Sequence, residues 1–438
     1  MSITPQMENF VNNRVIEQPC CKVSVEIIPQ AIFEEVHLSV TVQKPITVVP
    51  SSELYTNLTT TTSLICCIYI GASYAIPNLE IEVVASYITN LGVSRVCTKT
   101  ATVPLHLVYE TCPPLKDGQH RITLNLSENS VPLLELFPEF MGENSLSSAS
   151  NAIGFKHFMV NSPAVTILVA KSYRRYRLQS DDIICLNLLV QEVTRRLKNN
   201  VNNANITISY TSQLPITDFL TYVKEHFETN QKVTNLQNEL NVLSSQYRQI
   251  QKRLVVKFKQ RNPTPLGNLD ILLQTTYEDI INAITNLTEE KNQLLDSQIK
   301  LACVLNLIQC LLNLIDTNDK NMEAINATFL SRIYDYENQN WEDVIDAALC
   351  FLLRTSLAKS EKDKLRAPHT SFEEVKDIPK LEKHFTQVLE RIAKGCAMDV
   401  EDEKDAIETV NEECQKETEE INDIGTEFAA ASTRAISA

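Results

Sequence analysis

The sequence predicts a multidomain chain that runs from β to α/β to all-α. Three patterns carry that prediction. Apolar residues alternate up to about residue 127, strand and helix periods mix over 128–228, and a 3,4-spaced apolar seam opens soon after 230.

Alternation is plain in Val23, Val25 and Ile27, and in Val36, Leu38, Val40 and Val42. It recurs in Leu79, Ile81, Val83, Ala85 and Tyr87, and in Ile122, Leu124 and Leu126. Successive side chains of a strand point to opposite faces, so such runs describe half-buried strands. The run 63–70 is β-rich on both faces and reads as an interior strand. No helical period intervenes, so 20–127 is expected to form an Ig-like β-sandwich, with 1–19 as a linker. The single Trp is Trp341, so the Cys…Trp…Cys pattern of antibody domains is absent.

Residues 128–228 read as a small α/β layer. Strands are expected at 155–158, 164–170 and 206–210. Asp181 or Asp182 can cap a helix with Ile183, Leu186, Leu189, Val190, Val193 and Leu197 on one face. A further helix after Pro215 carries Phe219, Leu220, Val223 and Phe227.

From 229 to 300 the pattern is a helical hairpin, a coiled-coil arm. Val233, Leu236, Leu240, Leu243, Tyr247, Ile250, Leu254 and Phe258 make a seam over more than three heptads. Proline lacks the amide donor and clashes with the preceding turn, so Pro263, Pro265 and Gly267 stop the helix. A second helix resumes with Leu269, Leu273, Tyr277, Ile280, Ile284, Leu287 and Leu294. Antiparallel folding about residue 265 would set Leu243 near Leu287 and Ile250 near Ile280. Residues 301–397 are expected to be a C-terminal helical domain. Trp341, Val344, Ile345, Ala348, Leu349 and Leu352 line one helix face, and Leu381, Phe385, Val388, Leu389 and Ile392 line another. The apolar run 301–315 is shorter than a bilayer helix, and Asn306, Gln309 and Asn313 share one stripe of it. It reads as a buried core helix, so no transmembrane segment is expected.

Composition removes several function classes. Only 8 of 438 residues are glycine, and none cluster, so neither common phosphate-cradling glycine loop can form. The net charge of −15 resides mostly in 398–438, an acidic segment read as a solvated tail, which gives nucleic-acid binding no support. The N-terminus has no basic start or apolar core, so no signal peptide is expected. The 12 cysteines include no C-x-x-C pair and read as reduced, buried thiols. No G-x-S-x-G or H-E-x-x-H occurs, so no catalytic, cofactor-binding or metal residue is assigned.

Three groups of residues are candidate interaction sites. The first is the hairpin seam: Leu236, Leu240, Leu243, Tyr247, Ile250, Leu254 and Phe258. The second is a run of cations with no intervening acid: Arg248, Lys252, Arg253, Lys257, Lys259 and Arg261. These either pair internally with Asp270, Glu278 and Asp279, the favoured reading, or meet an anionic lipid or acidic partner. The third is Tyr173, Arg174, Arg175, Tyr176 and Arg177. It is either a charge-protected edge strand or a docking surface.

Several stretches also match a known family in order. They are Val131-Pro132-Leu133-Leu134-Glu135-Leu136-Phe137-Pro138-Glu139-Phe140, Ile153-Gly154-Phe155, 165–171 and Gln179-Ser180. Further on come Ile250-Gln251-Lys252-Arg253-Leu254, Pro263-Thr264-Pro265-Leu266, and Trp341-Glu342-Asp343-Val344-Ile345-Asp346. From about 20 to 395 the chain resembles the Bardet–Biedl syndrome protein nine family, the parathyroid-hormone-responsive subunits of the BBSome. The resemblance implies an ear-like β-sandwich, an α/β platform, a helical hairpin and a C-terminal helical domain. It also implies a non-catalytic structural subunit, without cofactors, of a coat-like complex. That complex carries membrane proteins to and from the cilium and supports cilium assembly. The partners implied are other BBSome subunits and, through the complex, membranes and ciliary cargo. The implied locations are the cytoplasm, the cilium, the ciliary base and the centriolar region, with peripheral membrane attachment through the complex. Family members begin with a large β-propeller. Only about 20 residues precede the sandwich here, so the resemblance covers the portion after the propeller. Two other readings are a freestanding ear-domain adaptor recruiting peptide motifs, and an enzyme with a convergent polar pocket in 128–228.

The tail lacks an apolar face and concentrates like charge. Ending the chain at Met398 should leave the melting temperature unchanged. A drop of several degrees in a thermal melt would show that the tail docks.

Overall fold

The computed structural model describes residues 1–11, 17–71, 73–127, 131–140, 151–157, 162–170, 174–199, 207–260, 265, 267–315, 340–354, 357, 375 and 378–393. The acidic segment 398–438 and candidate residues Tyr173 and Arg261 lie outside them.

The N-terminal strands are β1 (Ser2–Val11), β2 (Glu17–Ile27), β3 (Phe33–Val42), β4 (Ile46–Val49), β5 (Ser52–Leu58), β6 (Thr62–Ile70), β7 (Glu80–Thr89) and β8 (Ser94–Thr102). They form two sheets, ordered β1-β2-β6-β4 and β5-β3-β7-β8. Every pairing in them is antiparallel. The alternation places Val23, Val25, Leu64, Cys66 and Ile68 of one sheet, and Leu38, Val40, Ile81 and Val83 of the other, in one hydrophobic core. Strand β6 lies between β2 and β4, as read for an interior strand, but only one of its faces is buried and Ile65 is 51% exposed. Residues 2–11, expected within a linker, instead form a strand paired with β2 along its length.

The β domain ends earlier than the alternation suggests. Strands β9 (Tyr109–Cys112) and β10 (His120–Leu126) belong to a different sheet, together with β11 (Ala152–His157), β12 (Val165–Ala170), β13 (Arg175–Ser180) and β14 (Ile208–Ser209). The order is β14-β10-β13-β12-β11-β9. Ile122, Leu124 and Leu126 are therefore platform residues. Period 2 identifies a strand but not the sheet it joins, because pairing partners are distant in sequence. Across this sheet Gly154 faces Cys112 so closely that a Cβ would lie 2.5 Å from the Cys112 carbonyl oxygen.

Two helices complete the platform. The single turn α1 (Leu133–Leu136) precedes α2 (Ile183–Asn199). Asp182 caps α2 by accepting the Ile184 amide at 3.0 Å, as the cap pattern anticipates. Arg196 on α2 clamps the 131–140 segment. It lies over the Phe137 ring at 4.7 Å, donates to the Leu136 carbonyl at 2.7 Å, and pairs with Glu139 and Glu192. Phe137, Phe140 and Phe155 form a buried aromatic cluster beneath it. Gln179, 1% exposed, donates to the Leu115 and Lys116 carbonyls.

Two 44-residue helices follow, α3 (Ile216–Lys259) and α4 (Leu269–Leu312). At 1.5 Å per residue each is roughly 65 Å long. Both run through the expected boundaries at 228 and 300, so each helix starts or ends inside the body and projects from it. Gly267 and Asn268 reverse the chain with φ of 58° and 62°, a left-handed region open to Gly and tolerated by Asn. The 301–312 end of α4 is buried apart from the partly buried Asn306, Gln309 and Cys310, as read for a core helix with one polar stripe. Finally α5 (Trp341–Arg354) and α6 (Ile378–Ala393) pack against each other and against the base of α3.

Gly154→Ala forces a methyl against the β9 backbone. It should destabilise the protein by about 1–3 kcal/mol, the usual cost of overpacking. A urea midpoint equal to wild type would show that the β9–β11 spacing yields freely.

Candidate interaction surfaces

The arm is a two-helix coiled coil whose register two contacts define. Tyr247 and Tyr277 meet with ring centroids 6.5 Å apart, and Lys300 reaches Glu225 at 3.3 Å near the base. Antiparallel stepping from these contacts brings Leu243 level with residues 281–282 and Ile250 level with residues 274–275. The pairing expected from a turn at 265 is therefore shifted by about six residues.

The seam keeps most of its expected members. Val233, Ile250 and Leu254 are buried, and Leu236, Leu240, Leu243 and Tyr247 are partly buried. Phe258, however, is 74% exposed, while Lys257 occupies the seam-facing flank. The strict heptad continues Leu254 with a step of three, so a step of four drifts off the seam. On the arm part of α4 Thr276, Ala283 and Leu287 are buried and the expected Leu273, Ile280 and Leu294 are partly buried, whereas Tyr277 and Ile284 are largely exposed. Small residues let the helices approach closely, and the bulky neighbours one position on are turned outward.

This leaves an apolar outer surface on the arm. Tyr277, Ile281 and Ile284 share a stripe of α4 at spacings of four and three. Val255, Val256, Phe258, Ile271 and Leu272 are exposed close to the turn. Contiguous exposed apolar surface of this kind marks an interaction site more often than a solvated face.

The expected internal charge pairing is not present among the described residues. Arg248, Lys252, Arg253 and Lys259 are exposed and form no ion pair with Asp270, Glu278 or Asp279. Lys257 donates to the Pro265 carbonyl at 2.5 Å and Glu278 accepts from Gln274. The basic flank of α3 is thus solvent-facing.

Arg175, Tyr176 and Arg177 lie in β13, an interior strand between β10 and β12, and Arg174 directly precedes it, which corrects the edge-strand reading. Tyr176 is fully buried and its hydroxyl donates to the Val131 carbonyl at 2.5 Å, so it is a core residue and no docking surface. Burial first, and the Glu135 charge less, push its pKa above the usual tyrosine range. Arg174 donates to the Ser127 carbonyl at 2.5 Å. Arg175 remains exposed and Arg177 partly so.

At the base of the arm, sequence reasoning missed two polar clusters, because each joins residues far apart in the chain. The His226 Nδ1–H of α3 donates to Glu342 Oε1 of α5 at 2.6 Å, and Asn230 donates to the other carboxylate oxygen at 3.3 Å. His226 and Glu342 are 2% and 1% exposed. Trp341 packs edge-on against His226 and stacks with Phe385, which in turn meets Phe219. In the second cluster His384 Nδ1 on α6 meets Asp346 Oδ1 at 2.6 Å and Cys350 Sγ at 3.6 Å, both on α5. Burial alone would lower the His384 pKa, but the bonds to Asp346 and Cys350 outweigh it and hold it up to about 9. The described cysteines are free thiols, most of them buried or partly so, with burial pushing Cys66 up to about 11.

Fold and surfaces together define a four-module chain: a β domain, a mixed platform, a helical arm and a terminal helix pair. Four family models match these modules in order. They are the PTHB1 GAE domain at 16–101, the PTHB1 platform domain at 104–216, the PTHB1 hairpin at 213–316 and the PTHB1 C-terminal helix bundle at 317–392. Protein PTHB1 of Homo sapiens is 30% identical over 388 residues, covering 86% of this chain and 43% of that protein. Protein PTHB1 of Mus musculus is 29% identical over 388 residues, covering 86% and 44%. Protein PTHB1 of Xenopus laevis is 31% identical over 337 residues, covering 75% and 39%. The chain belongs to the PTHB1 family, and it spans less than half the length of these relatives. None of the matched modules is a catalytic domain.

Because no α4 carboxylate neutralises the basic flank, Lys252→Glu with Lys259→Glu should leave the thermal melt of the arm unchanged. A fall of several degrees, restored by Glu278→Lys with Asp279→Lys, would instead establish internal pairing.

Proposed function

We propose that this chain is a non-catalytic structural subunit of the BBSome, the coat-like complex that carries membrane proteins to and from the primary cilium. The observation that carries the reading is the ordered match of four PTHB1 modules, with 30% identity to Protein PTHB1 of Homo sapiens over 388 residues. In this role the chain works in the cytoplasm, at the ciliary base and centriolar region and in the cilium. It supports cilium assembly and meets membranes through the complex rather than by a span of its own. The long apolar helix α4 is consistent with this, since its apolar half is packed inside the protein.

The arm supports an assembly role. Its outward apolar side chains and unneutralised cations offer a surface for neighbouring subunits, while the seam holds the two helices together. Assembly contacts combine a desolvated apolar centre with a polar rim, and both are present on the arm. The domain borders that fit this role are near 102, 215 and 315, where sheet membership changes and the long helices begin and end.

The test is affinity purification of the full chain from ciliated cells with mass spectrometry of its partners. Wild type should recover BBSome subunits. Ile250 is buried and Leu243 partly so, and truncating a buried Leu or Ile to Ala costs about 2–5 kcal/mol. Leu243→Ala with Ile250→Ala should therefore splay the arm and lose those partners, while limited proteolysis still releases an intact β domain. Recovery of unrelated peptide-bearing cargo without BBSome subunits would favour a freestanding adaptor. Unchanged recovery by the double variant would remove the arm from assembly.

A further inference from the structure

Asp346, Cys350 and His384 converge in the C-terminal helix pair. Asp346 and Cys350 are one turn apart on α5 and so share a face, and His384 meets them from α6. Their donor atoms all lie within 4.8 Å of one another. We propose that Asp346 Oδ1, Cys350 Sγ and His384 Nδ1 form a zinc site that bolts α5 to α6, with water in the fourth position.

The geometry fits. Zinc bonds of about 2.3 Å to sulfur and 2.0 Å to nitrogen, at a tetrahedral angle, separate the two donors by about 3.5 Å. The Sγ–Nδ1 distance is 3.6 Å. The Asp346–His384 distance is 2.6 Å, a hydrogen bond with one proton between the two groups. Zinc takes the place of that proton, and rotation of the Asp346 carboxylate opens the pair to roughly the spacing of two zinc ligands. The thiol proton of Cys350 leaves as well. A thiolate, a carboxylate and a neutral imidazole carry two negative charges, which the divalent ion cancels, so the filled site is neutral in its partly buried setting.

The donor set selects the metal. Thiolate and imidazole are too soft for calcium or magnesium, which take oxygen ligands, and suit zinc. The His384 and Asp346 side chains are 15% and 17% exposed, so a metal ion can enter and water can reach the open position. The second and third donors are 34 residues apart in the chain, so a metal ion bound there would crosslink two separate helices.

The experiment uses the full chain, free of affinity tags and stripped with chelator, titrated with zinc chloride by calorimetry and with cobalt chloride by absorbance. Wild type should bind one zinc in a tight site, melt at a higher temperature with zinc, and show a thiolate-to-cobalt charge-transfer band. Losing even an outer partner of a metal ligand costs about 10–100-fold in affinity, so Cys350→Ser and His384→Asn should each weaken binding at least that much. Cys97→Ser, at an exposed thiol, should change nothing. A second measurement needs no variant: zinc should protect Cys350 of wild type from alkylation, read by peptide mass spectrometry, and leave Cys97 reactive. No zinc uptake by wild type, a cobalt band that survives in folded Cys350→Ser, or unprotected Cys350 would each overturn the site and leave a plain hydrogen-bonded cluster.

Discussion

The carbonyl oxygen of Pro77 is where three parts of the chain are held together. It accepts Asn187 Nδ2 of α2 at 2.9 Å and Asn306 Nδ2 of α4 at 3.0 Å, and Gln191 reaches it at 3.5 Å. Asn187 also holds the Ile76 carbonyl. The segment before β7, the platform helix and the core end of the arm therefore share one acceptor. A buried polar group left unpaired costs about 1–3 kcal/mol, so each of these amides is held to this geometry. The arrangement follows from composition. A helix as apolar as 301–312 has to be covered on most sides. Its polar stripe then has to find partners inside the protein, and Pro77 supplies one.

A second set of buried bonds fixes the far side of the arm. Glu342 is fully buried, and a buried charge is tolerated only when paired and hydrogen-bonded. His226 and Asn230 of α3 supply both partners. The aromatic chain Phe219, Phe385, Trp341 fills the space around them. The base of α3 is thus clamped by platform core on one side and by α5 and α6 on the other, and only the distal part projects. Rigid clamping at one end is what allows a helix pair with a modest seam to serve as an arm.

Legibility in the sequence followed the range of the interactions. Strand alternation, the Asp182 cap, the α2 face and the faces of α5 and α6 are local properties, and the structure carries them as read. Features set by distant pairing were misread. β10 alternates like its predecessors yet joins β13, and Tyr176 sits in an arginine-rich strand yet is buried because that strand is interior. In the arm, hydrophobicity pointed to Tyr277, Ile284 and Phe258, whereas helix proximity selected Thr276, Ala283 and Lys257. Counting apolar residues favours the bulky neighbour, and only a strict heptad step separates the two. The Asp346, Cys350 and His384 cluster was invisible for a related reason. Linear metal motifs are recognised by close spacing, and here the third donor is 34 residues from the second.

The arm leaves a second set of apolar side chains outside its seam. Its seam holds Val233, Ile250, Leu254 and Leu287 beside the small Thr276 and Ala283, while Val255, Val256, Phe258, Tyr277, Ile281 and Ile284 stand outside. A helix pair selected for its own stability would place those residues in the seam, where burying each would gain about 1.5–3 kcal/mol. Their exposure forgoes that gain and adds aggregation risk unless another surface covers them. On α3 the cations around Val255, Val256 and Phe258 limit that risk in the free chain, since like charges repel. An apolar seam inside, further apolar side chains outside and a basic flank on α3 are the features on which the proposed assembly role rests.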